Sequence, residues 1–152
     1  MEASDPDFRS GFVTLVGRPN AGKSTLVNAI MGKKIAITSN TVQTTRHRFR
    51  TVLTRDDYQL ILVDTPGLHK PHDALGEELN TSALKALEDV DVAAMLVDSS
   101  KPVGTGDEWV AAQLAHVRAK KVLVLSKIDL VDSERLAAQQ EAATKLAPWD
   151  AV

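Results

Sequence analysis

Gly17-Arg18-Pro19-Asn20-Ala21-Gly22-Lys23-Ser24-Thr25 fits the pattern G-x-x-x-x-G-K-[ST] and sets how the rest of the chain is read. Glycines in such a loop let the backbone curl closely around a phosphate, so that successive N–H groups converge on the anion and a helix N-terminus adds its positive dipole end. Lys23 is then placed to reach the β- and γ-phosphates, and the Ser24 hydroxyl to ligate Mg2+. Ordinary glycine-rich turns also produce the pattern, so the flanks decide. Phe12-Val13-Thr14-Leu15-Val16 precedes it as a short β-branched run suited to a buried strand, and Leu26 to Met31 follows as a helical segment with Gly32 as its stop. Strand, loop and helix in that order are the context a phosphate-binding loop requires.

At 152 residues the chain is one domain with enough length to bury a core. Its net charge of -2 excludes nucleic-acid binding through bulk charge, so any such contact must be local. The absence of cysteine excludes disulfides and thiolate metal sites and fits a reducing cytoplasm. Met1 to Asp7 is acidic and polar, without the basic and apolar regions of a signal peptide, and no run approaches the length of a membrane span. Residues 1–10 are expected as a disordered leader, with the domain occupying 11–152.

Five apolar runs follow one another: 12–16, the alternating 47–54, 59–63, 92–97 and 121–125. Between most of them lie helical patterns. Leu75, Leu79, Ala83 and Leu87 recur every four residues, and Val110, Leu114 and Val117 repeat the i, i+4, i+7 spacing, so each segment is expected to turn one apolar stripe to a sheet. Alternating strands and helices predict an α/β fold whose largely parallel sheet is covered by helices on both faces. One pair departs from this. Only Arg55-Asp56-Asp57 separates 47–54 from 58–63, too short for a crossover helix, so these two should form an antiparallel hairpin. Phe49, Thr51 and Leu53 share one face of its first strand and Arg48, Arg50 and Val52 the other, as suits an edge strand with one wet face. Ser133 to Pro148 reads as a helix with a weak stripe of Leu136, Ala143 and Leu146, and Asp150-Ala151-Val152 as the start of a further element.

Three more stretches carry chemistry. Asp64-Thr65-Pro66-Gly67 follows the run at 59–63, which puts Asp64 at the carboxyl end of a buried strand, where α/β sheets bind ligands. Its carboxylate would hold Mg2+ directly or through water, and the Gly67 N–H would bond the γ-phosphate. The segment from Ile35 to Arg46 is rich in hydroxyls (Thr38, Ser39, Thr41, Thr44 and Thr45) and reads either as a solvated loop or as a switch in which one threonine completes the Mg2+ shell and folds the segment onto a γ-phosphate. The neighbouring Arg46, His47, Arg48 and Arg50 read either as a solvated strand face, favoured for Arg48 and Arg50, or as an RNA-phosphate contact. Leu125-Ser126-Lys127-Ile128-Asp129 ends the last run. A carboxylate held there accepts two hydrogen bonds from guanine N1–H and N2–H2 while the lysine stem packs over the base, although Asp129 would serve equally as a helix cap.

Taken in order and at their intervals, G-R-P-N-A-G-K-S, Gln43-Thr44-Thr45-Arg46-His47-Arg48, Asp64-Thr65-Pro66-Gly67-Leu68-His69-Lys70-Pro71 and S-K-I-D resemble the translation-factor-related small GTPases of the TrmE-Era-EngA type, over about Gly11 to Asp132. The resemblance implies a P-loop NTPase of the Ras-like G-domain class that binds GTP and GDP with Mg2+ and hydrolyses GTP. It also implies 16S ribosomal RNA and the small ribosomal subunit as partners of the full-length protein, with weak RNA affinity for this fragment. Cytoplasmic localisation and a monomer follow from it, and it leaves open a peripheral membrane association of the full-length protein. Thr45 is preferred over Thr44 because it directly precedes the arginine, as in the related family's simpler motif. Asn20 matches a loop asparagine that helps hold K+ in place of an arginine finger. The catalytic set it implies is Lys23, Asn20, Thr45 and Gly67. Leu68 stands where many GTPases carry a water-orienting glutamine, so catalysis should be slow unaided. Ser126 stands where most members have asparagine, so the tie between the base site and the phosphate loop is expected to be lost and guanine affinity weakened. The family's later S-A-[KL] guanine loop and its KH-type RNA-binding domain do not occur in this sequence.

Overall fold

The structure, a computed structural model, describes residues 7–18, 20–32, 50–63, 68 and 73–152, apart from the side chains of residues 31, 50, 76, 79 and 82. The strands are β1 (Arg9–Gly17), β2 (Arg50–Thr54), β3 (Tyr58–Val63), β4 (Val92–Asp98) and β5 (Lys120–Ser126). The helices are α1 (Lys23–Met31), α2 (Ala74–Leu87), α3 (Thr105–Leu114) and α4 (Ser133–Thr144), with a 3-10 turn at Ile128–Leu130. The sheet order is β2-β3-β1-β4-β5, parallel throughout except for the β2–β3 hairpin.

Burial explains the parallel centre. Ala93 to Val97 are all buried, and successive side chains of a strand point to opposite faces, so β4 is covered on both sides. Helix α3 packs on β1 and β4, α1 on β1 and α4 on β5. At the other edge β2 buries Leu53 and exposes Val52, the one-sided pattern expected of an edge strand. The first three residues of the predicted run, 47–49, lie outside the described residues.

Four expectations change in detail. Strand β1 begins at Arg9 rather than after a leader ending at residue 10, because Arg9 and Ser10 pair with Tyr58 and Gln59 through backbone groups although both side chains are exposed. In α2, Leu75 is 64% exposed and the buried face runs through Asn80, Ala83, Ala86 and Leu87. A four-residue repeat overshoots the helical turn by about 40° at each step, so a stripe in register at Leu87 has rotated away by Leu75. Helix α3 closes at Leu114, and Val117 reaches the core from the turn beyond it. Helix α4 stops at Thr144, short of Pro148, which has no N–H to bond the Thr144 carbonyl. The Ala143 carbonyl accepts instead from Leu146 N at 3.1 Å and the Trp149 indole at 3.0 Å, folding the end of the chain back on the core. Asp150–Val152 then runs beside β5, where Ala151 forms a parallel bridge with Val122.

These differences set the first test. Leu87→Ala should cost about 2–5 kcal/mol by opening a cavity, whereas Leu75→Ala should stay within about 0.5 kcal/mol. Urea midpoints measure both, and equal losses would refute the observed orientation of α2.

Candidate functional site

The carboxyl ends of β1, β4 and β5 open on one edge of the sheet, and the Gly17–Thr25 loop leaves β1 there. A Cβ at Gly17 would lie 2.7 Å from the Leu96 carbonyl oxygen, and its φ is 151°, so only glycine lets the chain turn away this tightly against β4. Asn20 and Gly22 also take positive φ, 66° and 103°, with the Ala21 N–H bonding the Arg18 carbonyl at 3.2 Å between them. Gly22 then hands the chain to α1, whose first turn carries no capping side chain and no acidic residue. An uncapped N-terminus without a carboxylate beside it is the arrangement that accepts an anion. Lys23 is half-buried, while Ser24, Thr25 and Asn20 are exposed.

The loop is held from the β5 side. Ser126 Oγ donates to the Ala21 carbonyl at 2.5 Å, with the Val97 carbonyl at 3.2 Å, and Lys127 Nζ donates to the Asn20 carbonyl at 2.8 Å. The expectation that Ser126 forfeits the tie to the phosphate loop is therefore corrected: the loop carbonyl lies close enough for a hydroxyl to reach. Lys127 also pairs with Asp98 Oδ2 at 3.0 Å. Burial pushes the Asp98 carboxyl up, but hydrogen bonds from the Ser100 hydroxyl, Lys127 and the Ser100 N–H, together with the Lys127 charge, outweigh it and hold the group below its ordinary value. Asp98 was not singled out in the sequence, although a carboxylate ending an apolar run is the same signal that selected Asp64.

Asp129 sits in the 3-10 turn, exposed, and the cap of the following helix is Asp132, whose Oδ1 accepts from Arg135 N at 2.8 Å. The capping alternative for Asp129 is thereby removed, and among the described residues its carboxylate has no hydrogen-bond partner. Leu68 is 1% exposed and packs in the core. Pro19, Thr44, Thr45, Arg46, His47, Arg48, Asp64, Thr65, Pro66 and Gly67 lie outside the described residues, as does the Arg50 side chain. Of the expected Mg2+ donors, Ser24 lies among the described residues, exposed in the first turn of α1.

A family model described as 50S ribosome-binding GTPase matches residues 12–127, from β1 to the end of the Ser126–Lys127 brace. The chain belongs to this GTPase family. It is 48% identical to GTPase Era of Mycolicibacterium smegmatis over 147 residues, 95% of this chain and 49% of the relative. Among solved structures it resembles Era in complex with MgGDPNP and nucleotides 1506–1542 of 16S ribosomal RNA, with a TM-score of 0.76, 29% identity and coverage of 95% of this chain and 50% of that one. An Aquifex aeolicus Era variant bound to GDP·AlF4− gives a TM-score of 0.71 and 30% identity, covering 91% and 48%. The chain spans about half the length of the curated relatives it matches. No helix among the described residues is long and apolar enough to cross a membrane.

The brace makes two predictions for this GTPase domain. Ser126→Ala should cost about 1 kcal/mol by leaving the Ala21 carbonyl without its donor and should speed amide exchange in the loop, with an unchanged exchange pattern counting against the tie. Because the folded Asp98 carboxyl titrates below its unfolded value, its stabilisation is fully present above about pH 4 and is lost as pH falls through the folded value. Asp98→Asn should accordingly flatten the acid limb of stability measured by urea unfolding between neutral and acid pH.

Proposed function

We propose that the chain is a guanine-nucleotide switch that binds and hydrolyses GTP. The observation that carries this reading is the Gly17–Thr25 loop, opening on the uncapped N-terminus of α1 and tied at Asn20 and Ala21 to Lys127 and Ser126. In this reading the loop amides and Lys23 hold the β- and γ-phosphates, and the Asp129 carboxylate accepts from guanine N1–H and N2–H2, a donor pair that adenine lacks. Mg2+, held by Ser24 with Asp64 and Thr45, would neutralise charge on the phosphoryl oxygens when bound. Gly67 N–H bonds the γ-phosphate, and Thr45 orders its segment while that phosphate is present. Asn20, exposed and in the left-handed region, offers its side-chain oxygen to K+. Water attacks the γ-phosphorus, the bond to the bridging oxygen breaks, and GDP and phosphate leave.

The solved Era relatives support the wider role, since one holds MgGDPNP with a 16S ribosomal RNA segment and another GDP·AlF4−. By that analogy the whole protein acts on 16S ribosomal RNA in small-subunit assembly, a peripheral membrane association belongs to the same extrapolation, and the RNA affinity of this chain alone is weak. A second reading, a docking module that binds nucleotide without turnover, draws on Leu68, an aliphatic core residue with no group to hydrogen-bond a water, and on the absence of an S-A-[KL] guanine loop after Asp129 in this sequence. Phosphate release in K+ against Na+ separates the two. Release above background and faster in K+ is expected, and none in either salt would leave only the docking module. In the same assay Asp129→Asn should move preference from GTP toward XTP, because its amide N–H matches the xanthine C2 carbonyl. An unchanged base preference would remove Asp129 from the pocket.

A further inference from the structure

Arg18, the first variable position of the loop, does not turn toward the phosphate side. Its guanidinium lies along the N-terminal turn of α3, where Nη1 pairs with Asp107 Oδ2 at 3.3 Å. The same carboxylate oxygen accepts from the Gly104 N–H at 3.0 Å, and the Asp107 side chain is 5% exposed against 44% for Arg18. Two glycines make the seat. A Cβ at Gly106 would lie 3.1 Å from Arg18 Nε and 3.2 Å from its Cδ, and one at Gly104 would lie 3.6 Å from Nη1. Gly106 sits inside α3 without a positive φ, so its backbone accepts alanine and the missing side chain serves the guanidinium alone.

The seat is itself anchored. The segment entering α3 is held by Arg135 Nη2 on the Ser100 carbonyl at 3.2 Å, by Gln139 Nε2 on the Lys101 carbonyl, and by the Ser100 N–H on Asp98 at 2.8 Å. We propose that Arg18 is the positioning residue of the phosphate loop: its guanidinium, seated over Gly106 and paired with Asp107, fixes the entry of the loop to α3 and slows nucleotide release. Its backbone carbonyl closes the 18–21 turn, so a side chain fixed at α3 restrains the turn that presents the Asn20 and Ala21 carbonyls to Lys127 and Ser126. The loop is thus held at two points, by Arg18 where it leaves β1 and by the β5 brace near its middle.

This assignment rests on the nucleotide-binding reading. The test is the release of mantGDP from the chain, with thermal midpoints of the nucleotide-free proteins measured in parallel. Arg18→Ala should speed release about fivefold, the scale of a partly exposed ion pair. Gly106→Ala, whose Cβ would crowd the Arg18 side chain at 3.1–3.4 Å and shift it off its seat, should speed release by a smaller factor while leaving the midpoint unchanged or raised, since alanine is the better helix former. In the Arg18→Ala background Gly106→Ala should add nothing, because the guanidinium it displaces is gone. A wild-type release rate for Gly106→Ala, or additive effects in the double variant, would overturn the assignment while leaving nucleotide binding intact. Failure of the wild-type chain to retain mantGDP would overturn the nucleotide reading itself and this assignment with it.

Discussion

The contact on which the site depends is the approach of Gly17 to β4. With 2.7 Å between a notional Cβ and the Leu96 carbonyl, β1 can leave the sheet there only as bare backbone. That exit places the loop over the carboxyl ends of β4 and β5, because β1 lies between β3 and β4 in the strand order. In a sheet of this kind the chain moves from the central strand to one side and then to the other, and the crevice left at that reversal is where ligands bind. A side chain at position 17 would meet the Leu96 carbonyl oxygen, so β1 and β4 could not keep this approach.

Once the loop is over β5, its carbonyls need partners as much as its amides need an anion. Backbone that curls to aim N–H groups inward leaves C=O groups facing outward, and those at Asn20 and Ala21 are met by Lys127 and Ser126. Lys127 in turn needs a counter-charge, supplied by Asp98, whose Oδ1 accepts from the Ser100 N–H and hydroxyl. The carboxyl ends of β4 and β5 therefore act on the loop as one hydrogen-bonded unit. A serine suffices at position 126 because the demand is for one short O–H donor to a carbonyl. What a longer amide could add is a second bond beyond the loop, toward the base.

Local pattern carried much of this. The strand, loop and helix around Gly17–Thr25, the hairpin at Arg55–Asp57 and the placement of Ser126 and Asp129 at a strand end all follow from periodicity and spacing within about twenty residues, and each is in place. What was not legible depends on through-space partners. Arg18 and Asp107 are 89 positions apart, and nothing in either flank says that a loop arginine will lie along a helix N-terminus. Leu75 misled for a different reason, since a tidy four-residue repeat is not a helical period. The start of β1 at Arg9 was hidden because backbone pairing to Tyr58 and Gln59 needs no apolar side chain.

Leu68 constrains how such a site could work. Its side chain is 1% exposed, belongs to the same core cluster as Val63 and Leu87, and has no polar atom with which to position a water molecule. In the proposed reaction, orienting the reactants is left to groups whose placement comes from the backbone, the loop amides foremost. Backbone groups cannot adjust by changing rotamer, so their accuracy is only as good as the rigidity of the loop that carries them. That requirement gives the double clamp a chemical meaning. In that reading the ties at Ser126, Lys127 and Asp107 would set the positional precision available to phosphoryl transfer, and leucine at position 68 would raise the demand for it.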